Sequence, residues 1–176
     1  MRVVAGELGG RRLTAPRGSA TRPTADRVRE ALFSILGDVS GAHVLDLYAG
    51  SGALGIEALS RGAATAEFVD SGPPAIAAIR RNLSDLGLDA AVHRRDALAW
   101  LADTANKRAF DLVFVDPPYD LAPRIGPRLA ERLQSLLTED AVIVTESNKR
   151  TPLELPFALV RERAYGDTRI AVHRNG

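Results

Sequence analysis

Val44-Leu45-Asp46-Leu47-Tyr48-Ala49-Gly50-Ser51-Gly52-Ala53-Leu54-Gly55 carries the decisive pattern of this chain. An apolar run ends around an acid. Gly50, Gly52 and Gly55 then follow at the spacing G-x-G-x-x-G, and a helical pattern begins. A strand that passes into a helix through a glycine turn is the opening unit of an open α/β sheet. The glycines let the backbone approach a ligand that any side chain would hold off.

The same unit recurs on either side. Strand-like runs span His43 to Tyr48, Thr65 to Asp70, Ala91 to Arg94, Phe110 to Val115 and Ala141 to Glu146. Helical patterns span Ala53 to Arg61, Pro73 to Leu86, Ala97 to Ala105 and Pro123 to Leu137. Mostly apolar strands between amphipathic helices predict a parallel sheet covered on both faces. Phe157 to Arg163 and Thr168 to Arg174, joined around Tyr165-Gly166-Asp167, predict a C-terminal hairpin, so the sheet is mixed at one edge.

Ahead of this α/β body lies a basic arm. Arg2 to Ala5 and Arg11 to Thr14, separated by Gly6, Gly9 and Gly10, predict a short β-hairpin. A turn-rich loop follows, and Thr24 is a good N-cap for a helix with Val28, Ala31, Leu32 and Ile35 at helical spacing. The expected division is an arm over 1–22 and a main domain over 23–176. Residues 1–25 hold Arg2, Arg11, Arg12, Arg17 and Arg22 against Glu7 alone, although the whole chain carries a net charge of only +1. Such a basic arm on a mildly acidic body predicts a nucleic-acid contact. An Arg-rich solvated tail is the plainer alternative.

Composition excludes several classes. The chain has 176 residues and no cysteine, which removes disulfides, thiolate metal sites and a cysteine nucleophile. His43, His93 and His173 are scattered, so no metal is expected. No apolar run reaches the ~20 residues of a membrane span. The N-terminus lacks a signal-peptide pattern, and a cytoplasmic protein is expected.

Four acids close successive strands. Asp46, Asp70 and Asp116 end the first, second and fourth, and Asp96 follows the third. Open α/β sheets bind ligands at that edge. Gly50 and Asp70, 20 residues apart, also match a dinucleotide fingerprint. Electrostatics argues against that reading: Asp46 would lie beside a pyrophosphate, a repulsion of about 1–4 kcal/mol. S-adenosylmethionine reverses the sign, because its sulfonium and ammonium are attracted by an acid there. The expected cofactor-binding residues are Asp46, Tyr48, Ala49, Gly50, Ser51, Gly52, Asp70, Asp96 and Ala97, with Asp70 accepting from ribose hydroxyls and Asp96 from the adenine amino group. Asp96 also stands where a helix N-cap belongs.

Val113-Phe114-Val115-Asp116-Pro117-Pro118-Tyr119 ends the fourth strand. Neither proline has an N–H to donate, so the chain must leave the sheet. That leaves a carboxylate, bare carbonyls and an aromatic ring together, a set suited to a flat base with an amino group. A strand ending in a Pro-Pro turn is the bland alternative.

With these motifs the chain resembles the class I, Rossmann-like S-adenosylmethionine-dependent methyltransferases. Asp116-Pro117-Pro118-Tyr119 resembles the [DNS]-P-P-[YF] motif of amino-group methyltransferases of nucleic acids. Arg22-Pro23-Thr24 with Asp26-Arg27-Val28-Arg29-Glu30 narrows the resemblance to the RsmD-like family, which methylates a guanine N2 in 16S ribosomal RNA. The resemblance implies an α/β fold with a seven-stranded mixed sheet, last strand antiparallel, and helices on both faces. It implies catalysis at Asp116, Pro117, Pro118 and Tyr119, and cofactor contacts at the glycine loop, Asp70 and Asp96. Phosphate contacts are expected from Arg2, Arg11, Arg12, Arg17, Arg22 and Arg27, together with Arg29. The expected partner is 16S rRNA within a small-subunit particle, bound by a monomer. Ser71-Gly72-Pro73-Pro74 departs from the family pattern, so contacts from the turn beside the ribose are left open.

Three other readings stay open at this point. One is an N6-adenine or other amino methyltransferase on DNA or tRNA, with the same four catalytic residues. Another is a nicotinamide-dependent oxidoreductase, and the third a non-catalytic RNA-binding assembly factor. C5-cytosine methylation through a cysteine thiolate is closed to a chain without cysteine.

Overall fold

A computed structural model describes residues 1–17, 26–103 and 109–176. Arg22, Thr24 and the expected end, at Ala105, of the helical pattern that begins at Ala97 lie outside the described residues. The elements run α1 (Asp26–Leu36), β1 (His43–Leu47), α2 (Ala53–Ser60), β2 (Thr65–Asp70), α3 (Pro73–Leu86), β3 (Ala91–Arg94), α4 (Ala97–Asp103), β4 (Phe110–Val115), α5 (Ala122–Gln134), β5 (Leu137–Asn148), β6 (Ala158–Tyr165) and β7 (Thr168–Arg174). Seven strands form one sheet in the order β3-β2-β1-β4-β5-β7-β6. All neighbours are parallel except β7, which is antiparallel to both β5 and β6. The last strand is antiparallel, as the resemblance implied, and it inserts between its two predecessors.

Strand parity sorts the core into two layers. Val44, Phe68, Leu112, Phe114, Val144 and Ile170 lie under α1, α2 and α3. Leu45, Leu47, Val69, Val113, Val115 and Ile143 lie under α4 and α5. Because side chains alternate across a strand, Asp46, Asp70 and Asp116 continue the first set and fall on the α1–α3 side.

Two expectations are corrected. Strand β5 begins at Leu137, not Ala141, because Leu137 pairs with Phe110 ahead of a register shift; its polar Glu139 and Asp140 stay exposed. The N-terminal hairpin is reduced to one bridge, Arg2 to Arg12. Val3 donates to the Arg11 carbonyl at 2.9 Å, but the next amides turn to a side chain: Val4 and Ala5 donate to the Glu57 carboxylate at 2.7 and 3.0 Å. The segment is pinned further by Ser60, whose Oγ accepts from Leu8 and donates to Ala5, and by Asn82, which bonds both backbone groups of Thr14. Val3 and Leu13 are buried in the core.

Candidate active site

The glycine loop is fixed from below. The Asp46 carboxylate, 2% exposed, accepts the Gly55 amide at 3.0 Å at the start of α2. Gly52 caps that helix at φ 77°, a left-handed backbone that favours glycine. A Cβ on Gly55 would stand 2.4 Å from the Phe68 ring, so only glycine lets α2 lie this close to the sheet. Among the described residues Tyr48 is the non-glycine residue with left-handed backbone, at φ 58°. An aromatic residue in that region is strained, and such strain concentrates at functional sites. Its hydroxyl is buried without a hydrogen-bond partner among the described residues. Burial first, and then the nearby Asp96 charge, push its proton affinity up to about 12.

Asp70 holds two turns together. One carboxylate oxygen accepts Gly50 N–H at 2.9 Å and the other Gly72 N–H at 2.8 Å. Each oxygen keeps a further lone pair. Asp96 accepts the Ala99 amide at 2.9 Å and so caps α4, and its side chain is exposed. Ala97 is buried behind it.

At the end of β4 the chain leaves the sheet as its prolines require. Asp116 N–H reaches the Leu47 carbonyl at 3.4 Å. The Pro118 carbonyl accepts Leu121 and Ala122 N–H at 2.9 and 3.1 Å and so starts α5. The Pro117 carbonyl makes no hydrogen bond among the described residues. Tyr119 is 44% exposed, with its hydroxyl 3.5 Å from Thr168 Oγ1 on β7. A carbonyl without a hydrogen-bond partner on buried Pro117, the partly exposed Asp116 and the exposed Tyr119 ring thus follow one another at the end of β4.

The acids at this edge load one another. Burial pushes the Asp46 carboxyl up to about 8, against the Gly55 hydrogen bond and with help from Asp70. Asp116 is raised well above the carboxylate range by burial, then by Glu146 and Asp46. A cationic ligand relieves this repulsion and an anionic one deepens it. The residues present therefore fit S-adenosylmethionine and do not fit a pyrophosphate. Glu146 was not singled out from the sequence. It is brought to Asp116 by register, since Val115 pairs with Thr145, and only strand pairing could have revealed it.

The arginines divide. Arg2, Arg11, Arg12, Arg17 and Arg27 are exposed. Arg29 is not available to a phosphate: it is wholly buried, held by Asp26 at 3.0 Å, by the Arg2 carbonyl, and by Glu57 at 3.7 Å. Its place on the inward stripe of α1 explains the difference. Among the described residues no group of three or more His, Asp or Glu is placed to hold a metal ion, and no helix is long and apolar enough to cross a membrane.

The profile of a family described as Conserved hypothetical protein 95 matches residues 1–174. YlbH of Bacillus subtilis is 38% identical over 192 residues, covering 99% of this chain and 98% of its own. Ribosomal RNA small subunit methyltransferase D of Haemophilus influenzae is 34% identical over 187 residues, covering 99% and 94%. The solved structure of yhhF from Escherichia coli superposes with a TM-score of 0.84 at 33% identity, covering 99% and 97%.

Proposed function

Because the chain belongs to the RsmD-like family of S-adenosylmethionine-dependent ribosomal RNA methyltransferases, we propose that it methylates the exocyclic N2 of a guanine in 16S rRNA. The observation that carries this reading is the grouping of Asp116, the unpartnered Pro117 carbonyl and the exposed Tyr119 ring beside the acids at the ends of β1 and β2.

S-adenosylmethionine, when bound, supplies a methyl group on a cationic sulfur. Gly50, Ser51 and Gly52 would hold it by close backbone approach, with Tyr48 and Ala49 behind them, Asp70 taking the ribose and Asp96 and Ala97 the adenine. The chain's own work is on the base. A flipped guanine stacks on Tyr119. The Asp116 carboxylate and the Pro117 carbonyl each accept one N2 hydrogen. That turns the nitrogen lone pair out of the ring and fixes its direction, so positioning supplies most of the acceleration. Asp116 takes the proton that the nitrogen sheds as the new N–C bond forms; that role needs its ionised form, which a cationic cofactor favours against the burial and the neighbouring acids that raise its proton affinity.

The exposed arginines of the N-terminal segment, Arg2, Arg11, Arg12 and Arg17, with Arg27 on α1, would bind phosphates. The segment acts as an RNA-binding arm on a methyltransferase domain, in a cytoplasmic monomer whose substrate is rRNA within a small-subunit particle. Labelled S-adenosylmethionine offered with rRNA, tRNA, DNA and 30S particles, followed by mapping of the modified base, tests the reading. N2-methylguanine in 16S rRNA is expected. Label in N6-methyladenine, or in DNA alone, would overturn it.

A further inference from the structure

Edge strand β6 separates its charges between the two faces of the sheet. Arg161 stands opposite Val172, Arg163 opposite Ile170 and Tyr165 opposite Thr168. Directly opposed residues of an antiparallel pair share a face. Val172 and Ile170 belong to the apolar layer under α1. Both arginines therefore project, exposed, on the α1 side, and Tyr165 packs at the margin of that layer. Glu162, between them, points to the opposite face, where it accepts from Arg169 at 3.0 Å. Arg169 also meets Glu154 there at 3.5 Å. The acid that cancels these arginines in a count of charge is thus turned away from them.

The line they form leads to the catalytic residues. Alternate residues on a strand recur about every 6.5 Å, so two cations and a ring run in a row toward the carboxyl edge of the sheet. Thr168, the partner of Tyr165, pairs with Asn148 at the end of β5 and lies 3.5 Å from the Tyr119 hydroxyl. The N-terminal arm packs on α2 and α3, on the other side of β4. Cationic surfaces therefore flank Asp116 from both sides.

We propose that the α1-side face of β6, with Arg161, Arg163 and Tyr165, is a second RNA-binding surface that carries the strand flanking the target nucleotide. This rests on the RNA reading above. Arginines backed by an aromatic ring are the chemistry that tracks a nucleic-acid backbone. Charges on an edge strand can also serve to prevent edge-to-edge pairing, and for that purpose glutamate would do as well as arginine.

The double variant Arg161→Glu/Arg163→Glu separates the two uses. Its affinity for 16S rRNA should fall at least about tenfold, and the slope of log affinity against log salt should flatten by about 1.5. S-adenosylhomocysteine affinity and melting temperature should stay at wild-type values. Arg161→Lys/Arg163→Lys should retain RNA binding. A glutamate variant that stays monodisperse and binds rRNA as tightly as wild type would overturn the proposal and leave the arginines as edge guards. If the wild-type chain itself neither binds nor methylates rRNA, the RNA reading falls and takes this one with it.

Discussion

The Glu57 carboxylate and the Arg29 guanidinium, both sealed from solvent, lie 3.7 Å apart and tie α2 to α1 beneath the N-terminal segment. Glu57 also accepts Val4 and Ala5 N–H and the Arg61 guanidinium at 2.8 Å. Glu57→Ala would leave two amides unpaired and take from buried Arg29 one of its two carboxylate partners. The expected loss is about 3–5 kcal/mol, measured by urea or thermal unfolding, with the arm protected less from proteolysis. Unchanged stability would contradict this account of how the arm is attached.

Asp116 should matter to transfer and little to cofactor. Asp116→Ala is expected to lower the methylation rate at least about a hundredfold, while calorimetry shows S-adenosylhomocysteine bound near wild-type strength. A variant that methylates at close to the normal rate would remove Asp116 from the reaction.

Asp70 carries the opposite expectation. Its carboxylate holds Gly50 and Gly72, and the proposed function assigns it the ribose. Asp70→Ala should weaken S-adenosylhomocysteine binding by about tenfold to a hundredfold. Binding at wild-type strength would show that the turn holds itself and that the ribose is read elsewhere.

The pH dependence follows from Asp46. Its folded proton affinity is raised to about 8 from an ordinary value of 3.8. Between those values the folded chain holds a proton that the unfolded chain has lost, so its contribution to stability is complete below about 4. It declines by up to ~1.4 kcal/mol per pH unit as pH rises toward 8. Asp46→Asn should remove the Asp46 share of that slope and leave the share of Asp116, which is raised in the same direction. Binding of a cationic cofactor favours the ionised carboxylate, so affinity should rise with pH toward 8 with release of a proton. Calorimetry in buffers of differing ionisation enthalpy reads that proton directly; no proton released would count against the contact.

Deleting the arm is a poor test of its RNA role, because Val3 and Leu13 are part of the core. Replacing the exposed Arg2, Arg11, Arg12 and Arg17 by alanine keeps that packing. RNA affinity should then fall steeply at low salt while S-adenosylhomocysteine binding and melting temperature stay nearly unchanged. Equal RNA affinity at low salt would exclude these arginines from the interface.

Much of this site was legible because it is local. The glycine turn after β1, the proline exit after β4 and the acids at successive strand ends are each dictated by a few adjacent residues and their backbone limits. The strain at Tyr48 was not, because nothing in Leu47-Tyr48-Ala49 demands a left-handed backbone; the surrounding sheet and loop impose it. Arg29 was misread for a related reason: its charge predicts solvent, and only the buried Glu57 contributed by another helix makes an interior position tolerable.

The sequence by itself determined the alternation of strands and helices, the gathering of acids at one edge of the sheet, and the carboxylate–proline–aromatic set, since period, turn chemistry and the missing N–H of proline are properties of neighbouring residues. Tertiary structure alone decided which distant groups share a face. Register set Glu146 beside Asp116, and insertion of β7 between β5 and β6 turned Arg161 and Arg163 toward the active-site side and Glu162 away. Such pairings join residues far apart in the chain, and no local rule of composition or spacing encodes them.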